Sequence, residues 1–199
     1  MVKITAGKVK ELRDMTGVSI MKCKESLIVA KGDMTKAILE LKKQGETAVA
    51  GKAKKETSEG IVASYVHSNN TIGALVKINC QTDFVARNEE FKQLAKDITM
   101  QIAATNPKYL NPEDIPASVL EKENDVEEKI LEGSSKTKDV IKKIIDNKLE
   151  KFKKENSLLT QDFIKNPEIT IEDLIKEKIN KLGENIKITD FSRLEIIKK

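Results

Sequence analysis

Residues that carry chemistry are scarce in this chain. Two cysteines, Cys23 and Cys80, and one histidine, His67, are spread over 199 residues. A structural zinc site needs about four closely paired ligands, so no metal is expected. Each cysteine sits inside an apolar pattern and reads as a buried, reduced thiol of a reducing compartment. His67 stands beside an Asn-Asn turn with no Ser or Cys nucleophile near it, which fits a surface histidine better than a general base. Nucleophile–base pairs, HExxH, a Gly-rich dinucleotide motif and functional carboxylate pairs are all missing, so neither enzymatic chemistry nor a cofactor is expected.

A nucleotide cradle is missing too. A phosphate-binding P-loop places four residues between its first glycine and its Gly-Lys, then Ser or Thr. Here Gly45 and Gly51 enclose residues 46 through 50, and Lys52 is followed by Ala53. The chain is therefore not expected to bind nucleotide directly. Aromatic residues make up 4%, and no RNP-type or Gly-x-x-Gly element with basic flanks is present, which argues against nucleic acid. The 36 basic residues exceed the 32 acidic ones by four, too small and too even an excess to argue otherwise. No run approaches about 18 apolar residues and the opening lacks an apolar leader core. Neither a membrane span nor a secretion signal is expected, and a cytoplasmic location follows by default.

What the sequence does have is charge and punctuation. Charged residues reach 34% and hydrophobic ones 39%, suiting a soluble, helix-rich chain with solvated faces. Thr5, Ser19 and Asp33 can each cap a short helix. The first bears Val9, Leu12 and Met15 and stops at Gly17. The second bears Ile20, Cys23, Leu27 and Ala30 and stops at Gly32, and the third bears Ala37, Ile38 and Leu41 and stops at Gly45. Helices this short must pack on one another, which predicts a three-helix domain over 1–52. Gly51 to Glu59 reads as a linker.

The rest, 53–199, reads as a core of antiparallel sheet and helices, making the fold class α+β. Ile61, Ala63 and Tyr65 alternate with polar or outward positions, as do Ile72, Ala74, Val76, Ile78 and Cys80. Ser68-Asn69-Asn70 supplies the hairpin turn. Phe91, Leu94, Ala95, Ile98 and Ile102 then recur at helical spacing behind Asn88, a good N-cap, and Asn106-Pro107 ends that helix. Pro116 to Leu131 and Lys136 to Glu155 read as a helical hairpin. Its apolar stripe can close the core or serve a homodimer contact, and the pattern leaves both open. Thr170 and Asp173 form a capping box for the last helix, stopped by Gly183. Ile186, Ile188, Leu194 and Ile196 mark a closing strand.

Between the second strand and the helix after it lies a short loop, about Gln81 to Arg87, carrying two apolar residues, Phe84 and Val85. Pattern alone allows Phe84 to fold back as core or to stand out as an anchor for a partner's pocket. Lys10 and Arg13 share one face of the first helix. Of the adjacent Ile20 and Met21, at least one must face outward. By pattern these four read as a solvated basic face with a partly buried methionine.

Cys80-Gln81-Thr82-Asp83-Phe84-Val85-Ala86-Arg87 resembles the central motif of the elongation factor Ts family, guanine-nucleotide exchange factors of elongation factor Tu. Lys10-Glu11-Leu12-Arg13 with Thr16-Gly17, Met21-Lys22-Cys23-Lys24, Glu113-Asp114-Ile115-Pro116 and Gly183-Glu184-Asn185-Ile186 are similar to further blocks, so nearly the whole chain is covered. The resemblance implies that the three helices are of the ubiquitin-associated type, and that the rest is the family's core and dimerisation domain. It implies a translation elongation factor that binds elongation factor Tu in its GDP-bound and nucleotide-free forms. It also implies contact with that partner through Thr82, Asp83, Phe84 and Val85, which disturb its Mg²⁺ site. Lys10, Arg13, Ile20 and Met21 would meet the partner's nucleotide-binding domain. Longer family members carry a second core subdomain and a coiled coil for which this chain is too short, so those contacts are not carried over. The residues alone leave one rival class, a non-catalytic RNA- or protein-binding adaptor, resting on the Lys-rich linker and the positive charge.

Overall fold

A computed structural model describes residues 4–132 and 137–196. The fold class is α+β, and the chain separates into two compact units. One comprises the stretch up to Gly60 together with Asn79–Phe91 and Ile175–Lys187; the other comprises Ile61–Ile78, Lys92–Leu174 and the stretch from Ile188.

The first unit opens with α1 (Ala6–Thr16), α2 (Ile20–Val29) and α3 (Met34–Lys52). Thr5 accepts from the Lys8 amide at 3.4 Å and Asp33 from the Lys36 amide at 3.0 Å, so each satisfies an orphan donor of the helix it begins. Ser19 occupies the N-cap position of α2 but makes no side-chain cap bond. Gly17, at φ 65°, donates its amide back to the Arg13 carbonyl at 2.7 Å and ends α1 in the left-handed turn that glycine tolerates. Val9, Leu12, Cys23, Leu27, Ala30, Ala37 and Leu41 form one buried cluster, the helix faces expected. Met15 and Ile20 are not in it; both are exposed.

α3 does not stop at Gly45. It runs seven residues further, to Lys52, and takes in the start of the expected linker. Asn180, from the α8 helix (Ile171–Leu182), comes so close that a Cβ on Gly45 would meet its Nδ2 at 2.8 Å. The Lys52 ammonium donates to the Ile179 carbonyl at 3.2 Å, and burial together with the charges of Lys22 and Lys55 pushes its pKa down. The segment after α3 is also pinned, since Asn185 Nδ2 donates to the Lys55 carbonyl at 2.8 Å.

The second unit holds most of a three-stranded antiparallel sheet, in the order β1 (Glu59–Val66), β2 (Ile72–Cys80), β5 (Lys187–Glu195). The hairpin closes with His67 N–H donating to the Ile72 carbonyl at 2.8 Å, and Asn70 takes the positive φ of 57° that asparagine tolerates. Ala74, Val76 and Ile78 of β2 are buried, as are Leu94, Ala95, Ile98 and Ile102 of α5 (Glu89–Thr105). In β5 the alternation departs from expectation. Ile188 is buried, but Leu194 is 76% exposed. The inward side has passed to Arg193, whose Nε donates to the Ala103 carbonyl at 3.0 Å.

α6 (Ala117–Leu131) packs on α7 (Lys138–Asn156), with Lys148 paired to Glu127. The expected start at Lys136 lies outside the described residues. Val126, Ile130 and Val140 of the hairpin are exposed, and only Ile145 of α7 is buried. A two-stranded ribbon, β3 (Asp162–Phe163) with β4 (Asn166–Thr170), leads into α8. The capping box there is complete, with Thr170 Oγ1 accepting from the Asp173 amide at 3.1 Å and the Asp173 carboxylate accepting from the Thr170 amide at 3.3 Å. Gln101 is buried on α5, bonded to Gln161, to the Asp162 carbonyl and to the Ile164 amide, so its amide group is satisfied at both ends. Among the described residues no helix is long and apolar enough to cross a membrane.

Candidate partner-binding site

The stretch after β2 is not a loop. Asp83–Arg87 forms α4, a single helical turn. Five residues are too few to show a helical period, which is why sequence pattern reads them as irregular. Thr82 starts the turn in extended geometry (φ −128°, ψ 155°), and its Oγ1 accepts from the Val85 amide at 3.4 Å. Asn88 ends it by donating its amide to the Val85 carbonyl at 3.0 Å, and its side chain accepts from the Glu90 amide at 2.8 Å as α5 begins. One residue thus closes one helix and opens the next.

The turn sorts its side chains by height. Ala86 is buried, Val85 and Asp83 are half-buried, and Phe84 is 83% exposed. The reading that folds this ring back as core is overturned. An exposed Phe costs hydration free energy that burial would recover, about 1.5–3 kcal/mol for a side chain of this size. Asp83 pairs with Arg87 at 3.1 Å, one turn on. The ring is therefore displayed on a turn capped at both ends and cross-linked along one side.

Two carboxylates hold the turn's flanks within the first unit. Glu184 accepts from the Gln81 and Thr82 amides at 3.1 and 3.0 Å and from the Thr82 hydroxyl at 2.6 Å. Beyond the turn, Glu90 meets Lys181 at 2.6 Å, with Lys178 at 3.7 Å. The Lys181 hydrogen bond, more than the opposing burial, holds the Glu90 carboxyl below its usual range. Cys80 lies just before the turn. Its thiol donates to the Thr82 carbonyl at 3.2 Å, and burial first, then the Glu184 charge, pushes its pKa up to about 11. It is a packed, protonated thiol.

The N-terminal candidates are at the surface. Lys10 and Arg13 are exposed on α1, while Ile20 and Met21, at the start of α2, are 53% and 64% exposed. The partly buried methionine expected from pattern is therefore corrected: both apolar residues face outward. Met15, also exposed, was missed because its spacing from Leu12 places it on the expected core face. Glu184 and Glu90 were missed as well. Glu184 stands in a recognisable block, but its bonds reach back 102 and 103 residues, a distance no local period reports.

The family model described as "Elongation factor TS" matches residues 10–198. The chain belongs to the elongation factor Ts family. Curated relatives of that name align over nearly their whole length. One from Thermodesulfovibrio yellowstonii is 51% identical over 97% of this chain and 96% of its own. One from a Thermoanaerobacter species is 50% identical over 96% and 94%, and one from Thermosipho melanesiensis 50% identical over 97% and 98%. Membership makes the chain a translation elongation factor that acts as the nucleotide-exchange factor of elongation factor Tu. An elongation factor Ts works on a partner's bound nucleotide and needs no reacting groups of its own.

Proposed function

We propose that α4 drives the exchange and that Phe84 does so by insertion into elongation factor Tu. A translational GTPase holds GDP partly through Mg²⁺, which bridges phosphate oxygens and protein oxygens. A ring wedged between helices of that domain moves the Mg²⁺ ligands out of convergence. Binding is reciprocal: a factor that prefers the nucleotide-free partner weakens GDP by the factor that GDP weakens it. Each tenfold acceleration needs about 1.4 kcal/mol of lowered barrier, drawn from contacts made better in the weakened state.

The observation that carries this reading is the exposure of Phe84 on a turn whose ends are both tied down. A rigid aromatic anchor loses little freedom on docking. Val85 extends the apolar contact, Thr82 fixes the turn, and Asp83 offers a carboxylate for charge-assisted hydrogen bonds. Lys10, Arg13, Ile20 and Met21 form a second contact, so that two patches on one chain act by effective concentration. In this reading residues 1–52 are a ubiquitin-associated-type domain and 53–199 the core and dimerisation domain. The chain binds both GDP-bound and nucleotide-free partner, takes no nucleotide itself and works in the cytoplasm. A homodimer is proposed through the sheet, where Val62, Val66, Leu75 and Leu194 are exposed and offer apolar side chains to an interface; the hairpin stripe, where Val126, Ile130 and Val140 are exposed, is the alternative contact.

The test is displacement of fluorescent GDP from purified elongation factor Tu by excess unlabelled GDP. The full chain should accelerate release at substoichiometric amounts. Release at the spontaneous rate would refute the reading.

A further inference from the structure

We infer that Glu184 is the positioning residue that sets how α4 is presented for exchange. The inference rests on the reading that α4 drives nucleotide release, and it assigns a role to a residue remote in sequence from that turn.

The argument begins with the donors. Where β2 ends, Gln81 and Thr82 leave the sheet, and their amides need new partners. No nearby carbonyl supplies them. One carboxylate does, taking both amides on Oε2 at 3.1 and 3.0 Å and the Thr82 hydroxyl on Oε1 at 2.6 Å. That hydroxyl is also the N-cap of α4, so the carboxylate fixes the residue that fixes the turn. Three charge-assisted bonds to two successive residues leave the segment little rotational freedom. Glu184 is only partly buried, and both of its carboxylate oxygens are engaged by the Gln81–Thr82 segment.

The position of Glu184 explains why a carboxylate stands there. It follows α8 directly, behind Gly183, which takes φ 83°. Next to it Asn185 is buried and bonded to the Lys55 carbonyl. Backbone geometry and a neighbouring side chain thus hold Glu184 from both directions, and it transmits that rigidity to Thr82. An anchor ring on a slack turn would lose its rotational freedom at the moment of insertion, a cost that falls on the rate at saturation. Initial capture by the N-terminal patch would be spared.

That division defines the test. Nucleotide release is followed over a range of factor concentrations, giving a maximal rate and a half-saturating concentration for wild type, Glu184→Ala, Glu184→Gln and Phe84→Ala. Thermal unfolding is recorded for each. Glu184→Ala is expected to lower the maximal rate about tenfold or more, from the loss of bonds to a charged group, with the half-saturating concentration nearly unchanged. Glu184→Gln keeps a carbonyl for the two amides and should recover most of the rate. A residue that merely supports the fold would lower the melting temperature and leave the maximal rate of the folded protein intact, and that result overturns the inference.

Phe84→Ala separates the two readings. If it slows release while Glu184→Ala does not, the wedge stands and the positioning role falls. If Glu184→Ala slows release and Phe84→Ala does not, the positioning role stands and Phe84 is not the wedge. If neither slows release, both fall. Should Glu184→Ala fail to fold, Glu184→Asp decides, because it keeps the charge and withdraws it by one methylene. Wild-type exchange by that variant overturns the inference, and a lowered maximal rate supports it.

Discussion

Gly45 and Asn180 are separated by the width of a missing methyl group: a Cβ on the glycine would lie 2.8 Å from Asn180 Nδ2. The contact lies in the middle of α3, where glycine is otherwise unfavourable by about 1 kcal/mol relative to alanine. Two effects compete on substitution. Alanine recovers helix propensity and meets the tip of an exposed, rotatable side chain rather than backbone, so the contact is relieved by turning Asn180 outward. Gly45→Ala is therefore expected to be neutral or stabilising by up to about 1 kcal/mol. Urea denaturation checks it, and a loss of more than about 1 kcal/mol would mean that Asn180 cannot move.

The same glycine shows where sequence reading stops. Gly17 and Gly45 look alike as helix stops, yet only Gly17 takes a positive φ and accepts that role. The difference lies in α8, far along the chain. The caps of α1, α3 and α8, the hairpin turn and the inward face of β2 were legible because each is set by residues within one turn or one strand pair. α4 was not, since five residues carry no measurable period, and neither was the change of inward side in β5, where Arg193 bonds a carbonyl on α5 and Leu194 is exposed. For the candidate site, the resemblance marks the motif residues as candidates. The exposure of Phe84 was not legible, and neither were the carboxylates that brace its turn, because a hydrogen bond across a hundred residues leaves no local mark.

Glu90 gives a pH dependence with a definite sign. Lys181 holds its carboxyl below the ordinary glutamate value of 4.5. Its contribution is fully present above that unfolded value and is lost as pH falls through the folded one. Glu90→Gln should lower the melting temperature at pH 7 by a small amount, the pair being solvent-accessible. The gap from wild type should close as pH drops below about 4. Melting curves from pH 7 to 3 check this, and a gap that widens toward acid would contradict it.

Cys80 acts at the other end of the scale. With its pKa raised to about 11 from 9.0, the unfolded chain gives up this proton before the folded one does. The stability it contributes is complete below pH 9 and is lost as pH rises toward 11. Cys80→Ala should show a shallower alkaline decline than wild type, on top of the cost of its lost volume. In native protein at neutral pH both cysteines, being buried, should react with Ellman's reagent only as fast as the chain opens. Immediate reaction of either thiol would contradict this.

The N-terminal patch should separate affinity from rate. Lys10→Ala, Arg13→Ala and Met21→Ala remove exposed groups, so each should change stability by less than about 0.5 kcal/mol. Each should raise the half-saturating concentration in nucleotide exchange, the two basic changes more strongly at low salt than at high. Equal stability with unchanged half-saturation would remove these residues from the interface.

Leu194→Asp tests the exposed sheet face. A charge there should leave the monomer folded, because the side chain is already in water, and should shift sedimentation of the full chain from dimer to monomer. A wild-type chain that sediments as a monomer at all concentrations would contradict the dimer outright.

The wedge itself is tested by the maximal rate of fluorescent-GDP release from elongation factor Tu at saturating factor, for wild type, Phe84→Leu and Phe84→Ala. The expected order is wild type, then leucine, then alanine at least about tenfold down, a change of about 1.4 kcal/mol in barrier, with melting temperatures unchanged because the ring is already in water. Alanine and wild type releasing GDP at the same saturated rate would contradict the account.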